Sequence, residues 1–304
     1  MKTLIGLILI VISIYSKSPV VSLFLGIFYS FSFNLPRDYF TKKYGSIFIQ
    51  IGIVVLGLSI SLTKAYAISS SFLPYISLYV LTIFLLGIFL GNLFGIDKKT
   101  TLLISSGTAI CGASAMAAIA PIIKANSNQL LISITIIFLL NSLAIIIFPY
   151  VGTYLSMNND MFGAWIALSI HDTSSVVGAA MVFGENSIEF ASTLKLGRTL
   201  FLIPLIIFLS YKFKNNDPKN IKFPFFVICF VISICLGTFL NFNEQILIYI
   251  KLLSQLFLLI GLFFIGSQIN LNSLFVIKPN TIFLALLLWF IAIPSSFFIV
   301  QNII

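Results

Sequence analysis

Charge is scarce in this chain. Acidic and basic side chains make up 8% of its 304 residues, where a soluble domain carries roughly a quarter. A soluble fold of this length has too little interior to hide a chain that is 60% apolar, so a water-soluble globule is excluded. Histidine is almost missing, with His171 alone, and the three cysteines (Cys111, Cys229 and Cys235) all lie in apolar runs. Neither residue type has metal-ligand spacing or a disulfide framework, so no metal or cofactor is expected. No ATP-binding loop occurs either, so any work the protein does draws on a gradient or a partner. Acids are the rarer charge, eight against 17 Lys and Arg. Those 17 are scattered through short connectors, with no basic domain to grip a phosphate backbone, and a nucleic-acid partner is excluded.

What remains is long apolar runs, such as 130–140 and 282–293, and a mean hydropathy of +1.14. Lipid must solvate these faces. Inside lipid only helix bundles and closed barrels satisfy their own backbone. The runs do not alternate as barrel strands would, which leaves helices. Eleven hydrophobic segments are read, at roughly 3–16, 19–34, 46–63, 73–95, 100–124, 128–151, 161–184, 189–211, 223–240, 246–267 and 281–302. Segments 1 and 2 form a tight hairpin, or one crossing plus an interfacial piece. Merging them would leave a ten-helix core and change the side of the N-terminus. Connectors are too short for a soluble domain, so residues 1–304 make one transmembrane domain. Met1-Lys2 and the run to Tyr15 are read as a retained first helix, because no small-residue cleavage site follows.

With eleven crossings, Lys2, Arg37, Lys42, Lys43, Lys98, Lys99, Lys212, Lys214, Lys219, Lys222 and Lys278 share one side. Lys17, Lys64, Lys124 and Lys251 take the other, near Glu185, Glu189 and Glu244. The positive-inside rule then puts the N-terminus in the cytoplasm.

Segment 5 departs from the bulky pattern of the rest. Its centre reads Ser105-Ser106-Gly107-Thr108, then Cys111-Gly112-Ala113-Ser114-Ala115. Small residues allow close helix packing. Three hydroxyls and a glycine together suit instead an unwound stretch, tolerated at depth only beside protein or a cavity. Segment 7 holds Ile170-His171-Asp172-Thr173-Ser174-Ser175 halfway along its apolar run. Ionisable groups at that depth mark a pathway or relay, or a structural pair that fixes packing. His171 could carry a proton and Asp172 a cation. Segment 8 adds Lys195 and Arg198 on one helical face, snorkelling outward or forming a cationic wall that partners Asp172 or draws an anion. Asn141, Gln255, Gln268 and Asn270 rank lower, as hydrogen-bond links between helices. A short echo, Gly52-x4-Gly57-x2-Ile60-x-Leu62 against Gly261-x4-Gly266-x2-Ile269-x-Leu271, hints at an inverted repeat.

Gly107-Thr108-Ala109-Ile110-Cys111-Gly112-Ala113-Ser114-Ala115, Ile170-His171-Asp172 with Val176, Val177 and Ala179, and Lys195-Leu196-Gly197-Arg198 together resemble the YeiH-type sulfate exporter family of bacterial inner-membrane proteins. A glutamine often stands in that family where this chain has Ser175. The resemblance implies kinship with sodium–proton antiporters and bile-acid symporters: an all-α polytopic fold with a core and a panel domain, inverted repeats, interrupted crossing helices, and commonly a homodimer. The expectation is a secondary transporter, not an enzyme, moving a small anion such as sulfate across the inner membrane. Ser105, Ser106, Gly107, Thr108, Cys111, Gly112, Ser114, Thr173, Ser174, Ser175, Lys195 and Arg198 would bind it. His171 and Asp172 would couple it to H+ or Na+. The competing readings are cation–proton exchange centred on Asp172, and an intramembrane hydrolase with Ser105, Ser106 or Ser114 as nucleophile and His171 as base, which lacks a Gly-x-Ser-x-Gly elbow.

Overall fold

A computed structural model describes residues 2–33, 39–213, 225–268 and 278–304. Among them every regular element is helical, as the composition requires. Arg37, Lys214, Lys219, Lys222, Ile269, Asn270 and Leu271 lie outside the described residues.

The first two segments form an antiparallel hairpin, α1 (Lys2–Ser16) and α2 (Pro19–Phe33). Ser13 Oγ meets Ser22 Oγ at 2.5 Å near its turn, and Lys2 Nζ donates to Phe33 O at 3.0 Å at its open end. The tight-hairpin reading is therefore the one observed. Next come α3 (Phe40–Gly57) and α4 (Leu62–Leu93), and later in the chain α12 (Phe225–Leu240) and α13 (Glu244–Gln268). Of the glycines in the sequence echo, Gly52 and Gly261 lie where α3 and α13 meet, while Gly57 packs on α12 and Gly266 on α2. Gly52 abuts Ser254 and Leu258, Gly261 abuts Ile49, and Ser254 Oγ donates to Gly52 O at 2.7 Å. Side chains there would hold the two antiparallel backbones apart. With α2 and α12, this pair forms a panel.

The other half holds α4, α7 (Ser127–Tyr154), α10 (Asn186–Thr199) continuing past a short kink as α11 (Leu202–Lys212), and α14 (Pro279–Gln301). Together with α13, these are the five stretches long and apolar enough to span a membrane among the described residues.

Segments 5 and 7 correct the expectation that each crosses once. Segment 5 is α5 (Lys98–Ser106), a π-helical turn (Gly107–Cys111) and α6 (Ala113–Ile119), folded back on itself. Both its ends sit on one face. Lys99 Nζ donates to Lys124 O at 2.6 Å, and Gln129 Nε2 donates to Asp97 Oδ2 at 2.7 Å. Segment 7 is α8 (Asn159–Ser169) and α9 (Thr173–Phe183), also a hairpin. Phe162 and Phe183 stack with centroids 3.8 Å apart, and Gly184 lies beside Asn159. Each of its arms has 11 residues, about 17 Å of helix, which falls short of the ~30 Å hydrocarbon core. Between the two bases runs α7, 28 residues or about 42 Å long. The hairpins therefore enter from opposite faces and meet tip to tip.

Polar caps stop and turn the chain at these bases. Asp97 accepts from Thr100 N–H at 2.9 Å, Asn126 and Gln129 form a reciprocal capping box, and Asn158 accepts from Met161 N–H at 2.8 Å. Burial raises the Asp97 carboxyl, but donors from Thr100, Lys99 and Gln129 outweigh it and hold the group below its ordinary range.

Losing two crossings together leaves later helices in their expected direction but moves Lys124. It joins Lys98, Lys99, Lys212 and Lys278 on one face, tied together by Lys98 above the Phe213 ring and by Asn280 Nδ2 donating to Phe94 O. The opposite face carries Lys64 paired with Glu189 at 3.1 Å, plus Asp160, Glu185 and Glu244. The charge asymmetry sharpens. In a cysteine-free background, Lys99→Cys and Lys124→Cys should react with an impermeant maleimide from the same side of sealed vesicles, and Asp160→Cys from the other. Labelling of Lys99→Cys and Lys124→Cys from opposite sides would restore a simple crossing.

Candidate functional site

The sharpest backbone feature is at Gly112, the tip of the first hairpin, with φ +57°. A Cβ there would lie 3.0 Å from the Cβ of Asp172, so the tips touch and only glycine fits without strain. At the second tip, Asp172 is the N-cap of α9 and accepts from Ser175 N–H at 3.0 Å.

Breaking two helices at membrane depth leaves carbonyls at the inward ends of the first arms and N–H groups at the starts of the return arms. The two sets are served differently. Arg198, fully buried on α10, reaches across both hairpins. Its Nε donates to Ala109 O at 2.8 Å and its Nη2 to Thr108 O, both in the π-helical turn. Its Nη1 donates to Ala167 O and Leu168 O, at 3.1 and 2.6 Å, in the last turn of α8. Lys195, one turn earlier and also fully buried, donates to Ile170 O at 2.7 Å. Tyr79 of α4 lies beneath the guanidinium, 5.2 Å from ring centroid to Cζ, and its hydroxyl donates to Leu168 O at 2.9 Å. Two cations thus sit at the negative ends of helices, where the macrodipole favours them.

The N–H ends border a cavity of about 60 Å³. Ala113 and Ser114 from α6, Asp172 at the tip, and Thr173 and Ser174 from α9 form one wall. Across it stand Ile49, Gln50 and Ile53 of α3, Phe226 of α12, and Ile265 and Gln268 of α13, with Phe138 of α7 beside them. Phe226, Ile265 and Gln268 belong to the helix ends nearest the lysine-rich face, so the cavity lies toward that face. With only seven residues, α6 carries little dipole; the 11-residue α9 carries more.

Of the residues expected to bind or couple, Ser114, Asp172, Thr173 and Ser174 come together on this cavity. Gly112 is the first tip itself, and the others stand behind the tips. The expected unwinding at Ser105–Thr108 is corrected to Gly112. Ser105 and Ser106 are helical, and their hydroxyls return to Thr101 O and Leu103 O, at 2.7 and 2.9 Å. Gly107 packs against Met116, Cys111 is buried in the π-helical turn, and Thr108 presents its carbonyl to Arg198. Ser175 is buried one turn into α9. Lys195 and Arg198 neither snorkel nor wall the cavity, and neither lies within ion-pair distance of Asp172; among the described residues the one ion pair is Lys64–Glu189. His171 points away from Asp172. Its Nδ1 and backbone N–H both approach Asn141 Oδ1 on α7, at 3.0 and 3.3 Å, and its ring lies 6.3 Å from Trp289. This is the packing role that Asn141 was read for. Gln50 and Tyr79 escaped the sequence reading. Gln50 had a signal, a lone amide inside the apolar run of α3, whereas Tyr79 had none.

Comparison with known proteins finds a family described as Conserved hypothetical protein 698 matching residues 4–285. A UPF0324 membrane protein of Bacteroides thetaiotaomicron is 37% identical, the match covering 92% of this chain and 85% of that protein. Relatives of the same description occur in Porphyromonas gingivalis (33% identity; 92% and 86% covered) and Photobacterium profundum (38%; 86% and 79%). No solved structure matches.

Removing the guanidinium strands carbonyls of both hairpins where no water can serve them. Arg198→Gln should therefore cost about 3–5 kcal/mol, seen as a large fall in the thermal midpoint of the detergent-solubilised protein. Thr199→Ala, whose hydroxyl returns to Lys195 O and meets the Cys111 thiol, should cost only about 1 kcal/mol. Equal midpoints for Arg198→Gln and the unaltered chain would show that the clamp contributes nothing.

Proposed function

We propose that this chain, which belongs to the family of UPF0324 membrane proteins described as Conserved hypothetical protein 698, is a secondary transporter for a small anion. The observation that carries the reading is the cavity where the tips of two opposed hairpins meet, bordered by the start of α9 and by the hydroxyls of Ser114, Thr173 and Ser174. Helix N-termini and hydroxyls suit an anion, and discontinuous helices of this kind hold substrate in transporters. The volume of about 60 Å³ is small, which favours a compact inorganic ion over a large organic one. The resemblance to YeiH-type exporters supports sulfate or a related sulfur-containing anion, and a bacterial inner-membrane location.

Asp172 supplies the coupling. Ionised, its carboxylate would repel an anion in the same small cavity; neutralised by a proton or a cation, it would not. Substrate and coupling ion then bind together. The lysine-rich face is cytoplasmic by the positive-inside rule, and the cavity lies toward it. Alternating access would come from the clamped hairpin pair shifting against the panel of α2, α3, α12 and α13.

A second reading, cation–proton exchange, draws on one observation: among the described residues Asp172 is the only acidic one lining the cavity. A hydrolase is disfavoured, because no serine hydroxyl among the described residues bonds His171, while Ser105 and Ser106 are committed to their own helix.

Purified protein in liposomes should show counterflow of labelled sulfate. Ser114→Ala/Thr173→Ala should raise the half-saturating concentration at least about tenfold, from the loss of bonds to a charged ligand. Asp172→Asn should abolish the response of flux to a pH gradient. No sulfate movement, with a cation-driven proton signal that Asp172→Asn abolishes, would establish the exchanger instead.

A further inference from the structure

A second cavity, about 520 Å³, lies on the outer flank of the hairpin-bearing half, between α4 and α11. Val80, Leu81, Phe84 and Leu85 line one side and Phe201, Pro204, Leu205 and Phe208 the other, with Ile110 of the π-helical turn at the floor. Leu81, Leu85 and Phe208 are each more than half exposed, so the groove opens outward at the level of the spanning helices. Its lining offers nothing polar to a ligand, since the one hydroxyl, Ser77, donates to Leu73 O at 2.7 Å. The occupant of the groove itself is therefore apolar.

One end is different. One turn beyond Phe208, Lys212 holds its ammonium 5.5 Å from the centroid of the Phe208 ring, and Lys98 sits 5.9 Å from that of Phe213. Both lysines are exposed and neither joins an ion pair among the described residues. The nearby carboxylate of Asp97 is already committed to Thr100 and Gln129, and Lys99 to the Lys124 carbonyl. An apolar trough ending in two exposed ammoniums, neither of which joins an ion pair among the described residues, matches an acyl chain continued by a phosphate.

We propose that this groove is a binding site for an anionic phospholipid, its acyl chain along α4 and α11 and its headgroup phosphate between Lys98 and Lys212. A second copy of the chain fits less well. A dimer about an axis normal to the membrane would bring the four lysines together in one leaflet, where like charges repel. The lipid would rest against Ile110 and so buttress the first hairpin from outside. This inference does not depend on what the cavity at the tips carries.

The test is native mass spectrometry of the full chain, exchanged from detergent into equal amounts of phosphatidylglycerol and phosphatidylcholine. The unaltered protein should retain phosphatidylglycerol preferentially. Lys98→Gln/Lys212→Gln should cut that preference by about fivefold per lysine, and Leu85→Trp, which fills the groove, should lower retention of the anionic lipid with the lysines intact. Equal retention of the two lipids by the unaltered protein would overturn the proposal. So would a preference untouched by the double substitution, or a dimer that Leu85→Trp dissociates while lipid retention stays constant.

Discussion

A helix broken in the middle of a membrane exposes backbone groups to a medium that cannot hydrate them, and here one guanidinium resolves half of that problem. Arg198 places its donors on carbonyls of both hairpins, with the Tyr79 ring beneath it. A planar, five-donor fork can serve several carbonyls at once, which an ammonium of Lys195's kind does less completely. Burying such a charge is costly without full hydrogen bonding. The surrounding carbonyls provide it, together with the negative ends of α8 and the π-helical turn. Because its partners lie on two hairpins that enter from opposite faces, Arg198 also fixes the tips relative to each other. Close packing reinforces the bond, as at Gly163, where a Cβ would meet Ser187 O at 2.9 Å.

The two kinds of broken end are thereby separated. Carbonyl ends are satisfied inside the protein by Arg198 and Lys195, and N–H ends are left to border the cavity beside the panel. The cations act on that cavity only from behind the tips. A bound ion would meet directly the start of α9, the hydroxyl residues Ser114, Thr173 and Ser174, Gln50 and Gln268, and Asp172. Selectivity in this arrangement would come from neutral donors and one titratable acid, with no positively charged side chain among the described lining residues.

Much of this was legible before any coordinates. Scarce charge and long apolar runs are enough to require a helical membrane protein, and a His-Asp pair at mid-segment marks a special place at depth without announcing that the helix breaks there. The direction of the chain after each break was not legible. Segment 5 is about 25 residues long by hydropathy, a length that suits a tilted crossing as well as a hairpin with two short arms. Lys124 held a clue, as a lysine on the acidic side that joins the basic side once segment 5 turns back. The break was misplaced because hydroxyls at Ser105 and Ser106 look like partners for freed N–H groups, yet bond back to their own helix. The residue that turns the chain, Gly112, sits between Cys111 and Ala113 without polar company. Lys195 and Arg198 were rightly placed on one face, but sequence spacing says nothing about whether a cation meets a cavity or a carbonyl.

The central claim is that an anion rests at the start of α9, against the hydroxyls of both tips. Crystals grown in selenate test this most directly, because selenium marks the ion by its anomalous scattering. The account predicts a peak within hydrogen-bonding distance of Ser114, Thr173 and Ser174, which weakens when sulfate competes. A selenate peak elsewhere with none at the tips, or a thallium peak on Asp172 in crystals that exclude selenate, would contradict it.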